Sequence, residues 1–476
     1  MYFQFGPLAP DLNPRLNDSH LRVADGVLPS PDGYKPVGQW VQVFSALPAA
    51  AKGAATFISA NGEAVIVAGT ETNLYRGAAA AFTSIASGYV GSSEQRWRFA
   101  QFGTVAVATN AADVMQKIDL STFAVTALGG SPPKFEFLAV VAKGFLVGTV
   151  MNGDVLTLAW SAAFNAEQWT PGTGQSDYQT LPTGGRINGM LSGEYGIILQ
   201  RERLVRMDYI GGGNVFDFSE VSSNVGCVSP NSVAQWGNLG FFLSDEGFMQ
   251  WDGGLTAIGR EIIDAEFRTA YNVGDWESMS TAIDPVRGVV MWSMGDKIYC
   301  YDWTLQKWST ITYASPFIFA GVTTGISIDE QDPNVGALDD DVDGVGLASF
   351  DSAAFRGGDP RLYVFNASSA LGALTGTPMA ATFTMNDLEP MAGHRMDMRF
   401  VRPDIEATSG LTLTLGTKQR LGDSLVNTAY TSLRDSGEMP VRTSGRYTRP
   451  TLAVAAGSTW THAKGLDLIG QKGAGR

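Results

Sequence analysis

The chain has 476 residues, of which 44% are hydrophobic and 17% charged, with 56 glycines and a formal net charge of −14. This length and apolar share exclude a disordered chain and allow a large core in two or three domains. The acidic balance argues against tight wrapping of nucleic acid, which needs a basic surface to neutralise phosphates.

Helical periodicity is scarce, while Val, Thr, Phe, Tyr and Trp recur between glycine-marked turns, so the fold class reads as all-β. Residues 1–40 show no strand pattern, because Pro7, Pro10, Pro14, Pro29, Pro31 and Pro36 exclude helix or central strand over most of them. They read as an extended, Pro-rich arm that lies on its own domain or reaches a neighbour. The opening MYFQFGPLAPDLNPRLND has no basic start and no continuous apolar segment, unlike a secretion signal. The longest apolar run, Phe135 to Met151, is interrupted by Glu136, Lys143 and two glycines and is too short to span a bilayer. A protein without a membrane-spanning segment, made and kept in a cytoplasm-like compartment, is expected.

From residue 41 to about 312 one phrase repeats: an apolar run, a tight turn, a second apolar run, another turn. Its clearest copies are GFFLSDEGFMQWDGG from Gly240 and GVVMWSMGDKIYCYDWTLQKWSTI from Gly288. Taking the residue that ends the second run as a ruler gives Arg76, Asp119, Trp160, Asp208, Asp252 and Asp302, at intervals of 43, 41, 48, 44 and 50. All-strand units at that period predict a six-bladed β-propeller, because a four-stranded sheet has two apolar faces and radial stacking covers both. A β-sandwich with evenly spaced hairpins is the alternative.

The stretch Tyr313 to Phe350 breaks the spacing and holds an acidic insertion near 326–346. Arg361 to Asn366 resembles a missing blade edge, and a late strand joining the first sheet would close the propeller near residue 370. Residues 371–476 differ in character. Leu411 to Gly416 alternates cleanly between turns, which predicts a C-terminal β-sandwich or sheet platform domain used for docking. Residues 387–476 hold 12 Lys plus Arg and 9 Asp plus Glu, a net of +3, which leaves −17 for residues 1–386. An acidic wall repels phosphate, as a conduit for DNA requires, although acid also serves simply to solvate a surface.

Signals for chemistry are weak. His20, His394 and His462 are not paired at ligand spacing, and no nucleophile elbow, Walker loop or zinc-protease helix is present. Cys227 and Cys300 lie in different repeat units and read as buried thiols. Asp339 to Gly344 fits the first half of a calcium loop, but the twelfth position is Phe350 where a bidentate Glu is needed, and a solvated acidic loop is the alternative. Six-bladed propellers include glycosidases, yet the sialidase repeat is missing and no carboxylate pair stands out. No catalytic, cofactor or metal residue is assigned, and no enzyme is expected.

Several phrases carry a resemblance along nearly the full length: FGPLAPDLNP, GVLPSPDGYKPV, GTETNLYRG, LASFDS, RLYVF and RFVRPDIEATSGLTLTLGTKQR. The most specific are Gly445-Arg446-Tyr447-x-Arg449 and Trp460-Thr461-His462-Ala463. Together they look like the tail nozzle, or tail hub, proteins of short-tailed bacteriophages, also called packaged-DNA stabilisation proteins. The resemblance implies a structural virion protein assembled in the host cytoplasm: a homohexameric ring at the distal end of the tail tube, closing the channel and then letting the genome pass. It further implies tube or adaptor proteins and tail fibres as partners, with DNA crossing the lumen without sequence-specific binding. The arm and the acidic insertion are its candidates for subunit contacts or gate loops. The other readings are an adhesion or scaffold propeller that binds a protein or glycan, and a glycan-cleaving enzyme.

Overall fold

The computed structural model describes residues 1–476 apart from 14–18, 60–61, 79, 93, 324–357 and 474–476. The calcium-like run at Asp339 to Gly344 and the acidic insertion lie outside the described residues.

Four-stranded antiparallel sheets follow one another along the chain at residues 53–87, 98–127, 137–180, 187–222, 234–257 and 280–315. These are blades 1 to 6. Five of the six ruler residues fall in or at the end of a third strand, as with Asp119 closing Gln116–Asp119 and Asp302 closing Gly295–Asp302, and Asp252 directly follows Gly247–Trp251.

A seventh blade corrects the expected count of six. It consists of Phe317–Val322, Pro360–Phe365 and Ala370–Pro378, with Gly38–Ala46 from the other end of the chain as its outer strand. Closure therefore comes from an early strand joining the last sheet, not from a late strand joining the first. The unit escaped the period because 37 residues, 323–359, separate its first two strands, and its fourth strand lies more than 300 residues away.

The ring closes through seven seams, each filled by alternate residues of the second strands. In Ala64–Gly69, Val65 and Val67 face blade 2 while Ile66 and Ala68 face blade 7. Phe241 and Leu243 of blade 5 face blade 6, and Phe242 faces blade 4. A strand covered on both sides needs apolar residues at every position, which is why these second strands read as unbroken runs such as AVIVAG. Outer strands such as Ala81–Ser87 have no buried position and face solvent. The linker between blades 5 and 6 carries an α-helix, Asp264–Ala270, and a 3-10 segment, Val273–Ser278.

The rest is a β-sandwich, and it uses both ends of the chain. One sheet orders Val27–Ser30, Gly33–Pro36, Ala463–Lys472, Met396–Ile405 and Met439–Gly445, with Tyr2–Gln4 also on Ala463–Lys472. The other runs Leu21–Asp25, Ala381–Met385, Tyr447–Val454, Leu411–Lys418 and Val426–Tyr430. Asp25 pairs in parallel with Thr310, so this second sheet continues into blade 6 as one nine-stranded sheet. Phe5 stacks on Phe383 between the layers, with centroids 4.8 Å apart.

The first forty residues thus contain strands where none was expected. Pro29 is tolerated because Val27–Ser30 is an edge strand, where one side of the backbone has no ladder partner. The arm lies on its own domain, with Phe5, Leu8, Ala9 and Leu21 buried and the Met1 ammonium on Asp467 at 2.6 Å. Among the described residues no helix is long and apolar enough to cross a membrane.

Candidate functional site

Three places gather polar chemistry. The first is the axial mouth of the propeller, where the innermost strands begin. Arg96 precedes and Arg98 opens Arg98–Phe102, the first strand of blade 2, on either side of the buried Trp97. Arg98 Nη2 donates to the Pro230 carbonyl at 3.3 Å and to Asn231 Oδ1, just before blade 5. Arg96 Nη2 donates to the carbonyls of Glu277 at 3.2 Å and Ser278 at 2.8 Å, just before blade 6. Blades 5 and 6 stand opposite blade 2 in a ring of seven, so both side chains cross the axis. Beneath them lie the rings of Phe317 of blade 7, 5.6 Å from Arg96, and Phe137 of blade 3, 5.3 Å from Arg98. The cavity that remains is about 200 Å³.

Burial lowers both arginine pKa values. Arg96 is brought down to about 9, chiefly by desolvation and then by repulsion from Arg98, while Glu136 partly offsets the desolvation of Arg98.

The second place is a cleft beside the helix Asp264–Ala270, in which five carboxylates, Asp11, Asp245, Glu246, Glu261 and Asp264, outnumber Arg260 and Arg268. Asp11 of the arm accepts the backbone N–H groups of Ala265 at 2.6 Å and Glu266 at 2.8 Å, satisfying two of the free donors at the helix start. Asp264 is 8% exposed and sits between two glycines: a Cβ on Gly247 or Gly259 would fall 1.8 Å or 2.1 Å from its carboxylate. Its Oδ1 accepts from Phe248 N–H, its Oδ2 has no partner, and burial pushes its pKa from 3.8 up to about 6.

The third is a cleft of about 910 Å³ on the sandwich, bordered by Met396–Ile405 and the edge strand Met439–Gly445. Arg399, Arg434 and Arg442 are exposed around it, against Asp397 alone, and Arg434 lies 4.8 Å over the Phe400 ring. The buried Tyr430 hydroxyl has no hydrogen-bond partner.

The two most specific phrases of the resemblance are built into the sandwich, whereas GTETNLYRG lies in blade 1, RLYVF in blade 7 and LASFDS outside the described residues. Arg446 pairs with Glu389, and Arg449 pairs with Asp387, each at 2.9 Å, while Lys418 reaches Asp387 at 2.7 Å. Burial raises the Asp387 pKa, but hydrogen bonds from Lys418 and Arg449 together outweigh it and hold the group below the ordinary carboxylate value. The adjoining Asn386 ties down the arm through Arg22 Nε at 3.0 Å and the His20 carbonyl at 2.6 Å. Trp460 is buried edge-on to Phe383, whereas His462 is exposed, as is His394. Cys227 and Cys300 are free, buried thiols with raised pKa values, Cys227 to about 12, mainly through desolvation. Among the described residues no group of His, Cys, Asp and Glu could hold a metal ion.

No protein-family model matches the chain, and no curated protein is similar to it. Solved structures similar to it include two of the extracellular domain of BT4673 of B. thetaiotaomicron, named once as a putative one-component and once as a putative hybrid two-component system. Their TM-scores are 0.44 and 0.43 at 10% and 9% identity, covering 84% and 85% of this chain. The chain spans about half of their length, 48% and 47%.

Proposed function

We propose that this chain is a structural subunit of a short-tailed bacteriophage tail, a nozzle that assembles as a homohexameric ring at the end of the tail tube and conducts the genome. The phrases that resemble tail nozzle proteins motivate the reading. The observation that carries it in three dimensions is the basic cleft of the sandwich beside an acidic propeller. One copy can present Arg399, Arg434 and Arg442 to the carboxylates of the next, a heterologous contact that closes into a ring when the rotation allows.

Duplex DNA, whose major groove alone is about 12 Å wide, does not fit the axial channel of a single propeller, which the Arg96 and Arg98 side chains span. In this reading the conduit is the lumen between copies, lined by acidic propeller walls that do not retain phosphate.

The experiment is to locate the chain in imaged virions and to assemble it on isolated tails. Density at the distal tip supports the reading, and density elsewhere in the particle, or none, ends it. The triple change R399E, R434E and R442E is expected to leave a folded monomer that no longer forms rings on tails.

An adhesion or scaffold role is favoured by one observation, the exposed apolar side chains Phe164 at 78% and Ile210 at 59%, which neighbour in sequence or space the packed pair Phe145 and Tyr209, 5.3 Å apart. Saturable binding of a glycan array or host surface extract, lost in F164S, would select that reading.

A further inference from the structure

We propose that the axial mouth of the propeller is a binding site for a phosphate-sized oxyanion, held between the guanidinium groups of Arg96 and Arg98. A guanidinium offers five N–H donors and no acceptor. Each of these uses Nη2 alone, on the carbonyls of Glu277 and Ser278 or on the Pro230 carbonyl and Asn231 amide oxygen. Those acceptors are neutral. They orient the two forks and leave two positive charges side by side, with no carboxylate in hydrogen-bond contact with either among the described residues. The carboxylate that acts on Arg98 at longer range, Glu136, is already in an ion pair with Arg186.

A half-buried cation with only neutral acceptors is stabilised by gaining a counter-ion, because a guanidinium keeps its proton near neutral pH. The pKa of Arg96 is lowered in the same sense, first by burial and then by the neighbouring charge of Arg98. The Phe317 and Phe137 rings border the pair and limit its access to water. With liquid water taking roughly 30 Å³ per molecule, the cavity of about 200 Å³ holds an oxyanion of five heavy atoms with a few waters. Arginine forks match such an anion by paired N–H···O bonds. The remaining body of the protein is strongly acidic, which disfavours a polyanion such as DNA at this mouth and leaves a small anion as the ligand.

The test titrates inorganic phosphate into the full chain by calorimetry and follows thermal unfolding in parallel, with chloride at matched ionic strength as the control. The expected result is a saturable rise in Tm with phosphate and not with chloride. Arg96→Lys and Arg98→Lys, which keep the charge but lose the fork, should each weaken phosphate binding by about tenfold or more. No phosphate-specific rise in the unaltered chain, or equal affinity in both lysine variants, overturns the proposal. The comparison of phosphate with chloride needs no variant, so it decides even where a substitution impairs folding. It is also independent of where the chain sits in a virion.

Discussion

Replacing Asp264 by Asn tests how the acidic cleft is paid for. The folded carboxyl titrates at about 6 and its ordinary value is 3.8, because burial between Gly247 and Gly259 disfavours the charged form more than the Phe248 N–H favours it. A raised carboxyl pKa means that the fold prefers the protonated group. Its contribution is fully present below the unfolded value and is lost as pH rises through about 6. At pH 5 the folded group is about nine-tenths protonated and the unfolded one almost wholly ionised, whereas at pH 7.5 both are ionised. The linkage integral between those two conditions is about 1.4 kcal/mol. Urea unfolding of both proteins at pH 5 and pH 7.5 isolates this group, since every other titration cancels in the difference. Asp264→Asn keeps the acceptor for Phe248 N–H, so it should gain on the unaltered chain by about 1.4 kcal/mol between pH 5 and pH 7.5. A difference that stays constant across that window would refute the assignment of burial as the cause.

Gly247→Ala places a Cβ 1.8 Å from the Asp264 carboxylate at a residue with φ of +115°, so it should lower stability by about 2 kcal/mol or more, read as a fall in the urea midpoint. Phe44 of the closing strand is 2% exposed and packs in the seam between blades 7 and 1, so Phe44→Ala should cost about 3 to 5 kcal/mol and expose the 38–46 segment to limited proteolysis first. Asp387→Asn leaves Lys418, whose side chain is 6% exposed, without its counter-charge, and should cost about 3 kcal/mol at pH 7. The native Asp387 pKa is lowered, so its contribution is present above the unfolded value and lost in acid, and the penalty of the variant should shrink as pH falls below about 4.

The propeller was legible where the chain is locally self-consistent. Blades 1 to 6 are contiguous stretches of strands and tight turns, and their doubly covered second strands are written as apolar runs. What was not legible depends on contacts between distant residues. Blade 7 is split by residues 323–359 and completed by Gly38–Ala46. The strands of the first forty residues exist only because Ala463–Lys472, Ala381–Met385 and blade 6 provide edges for them, as in the pairing of Tyr2 with Asp467. Such edges leave no local signal beyond a proline-rich text that is equally suited to a loose arm. The arginine pair at the axis was missed for a related reason, since its acceptors lie 132 to 182 residues away. The signal that could have found it is Arg96-Trp97-Arg98 at the head of an inner strand, which places two cations close together in an otherwise acidic domain. The basic cleft was half visible, in the +3 of residues 387–476, but charge counting does not say that Arg399, Arg434 and Arg442 share one surface.

The segment 21–46 decides how the two parts of the molecule are coupled. Leu21–Asp25 lies between blade 6 and Ala381–Met385, Val27–Pro36 forms the edge hairpin of the other sandwich sheet, and Gly38–Ala46 completes blade 7. A sandwich hung on a flexible linker would melt on its own schedule. Here the same 26 residues hold the sandwich layers together and lock the ring, and the Trp40 indole N–H donates to the Val364 carbonyl at 3.0 Å within that lock. Loss of the sandwich strands frees the closing strand, and loss of the closing strand removes the tether of the sandwich. Propeller and sandwich should therefore unfold in one calorimetric transition, with Phe44→Ala lowering it as a whole. Two separated transitions, only one of which responds to Phe44→Ala, would show that the shared segment does not couple them.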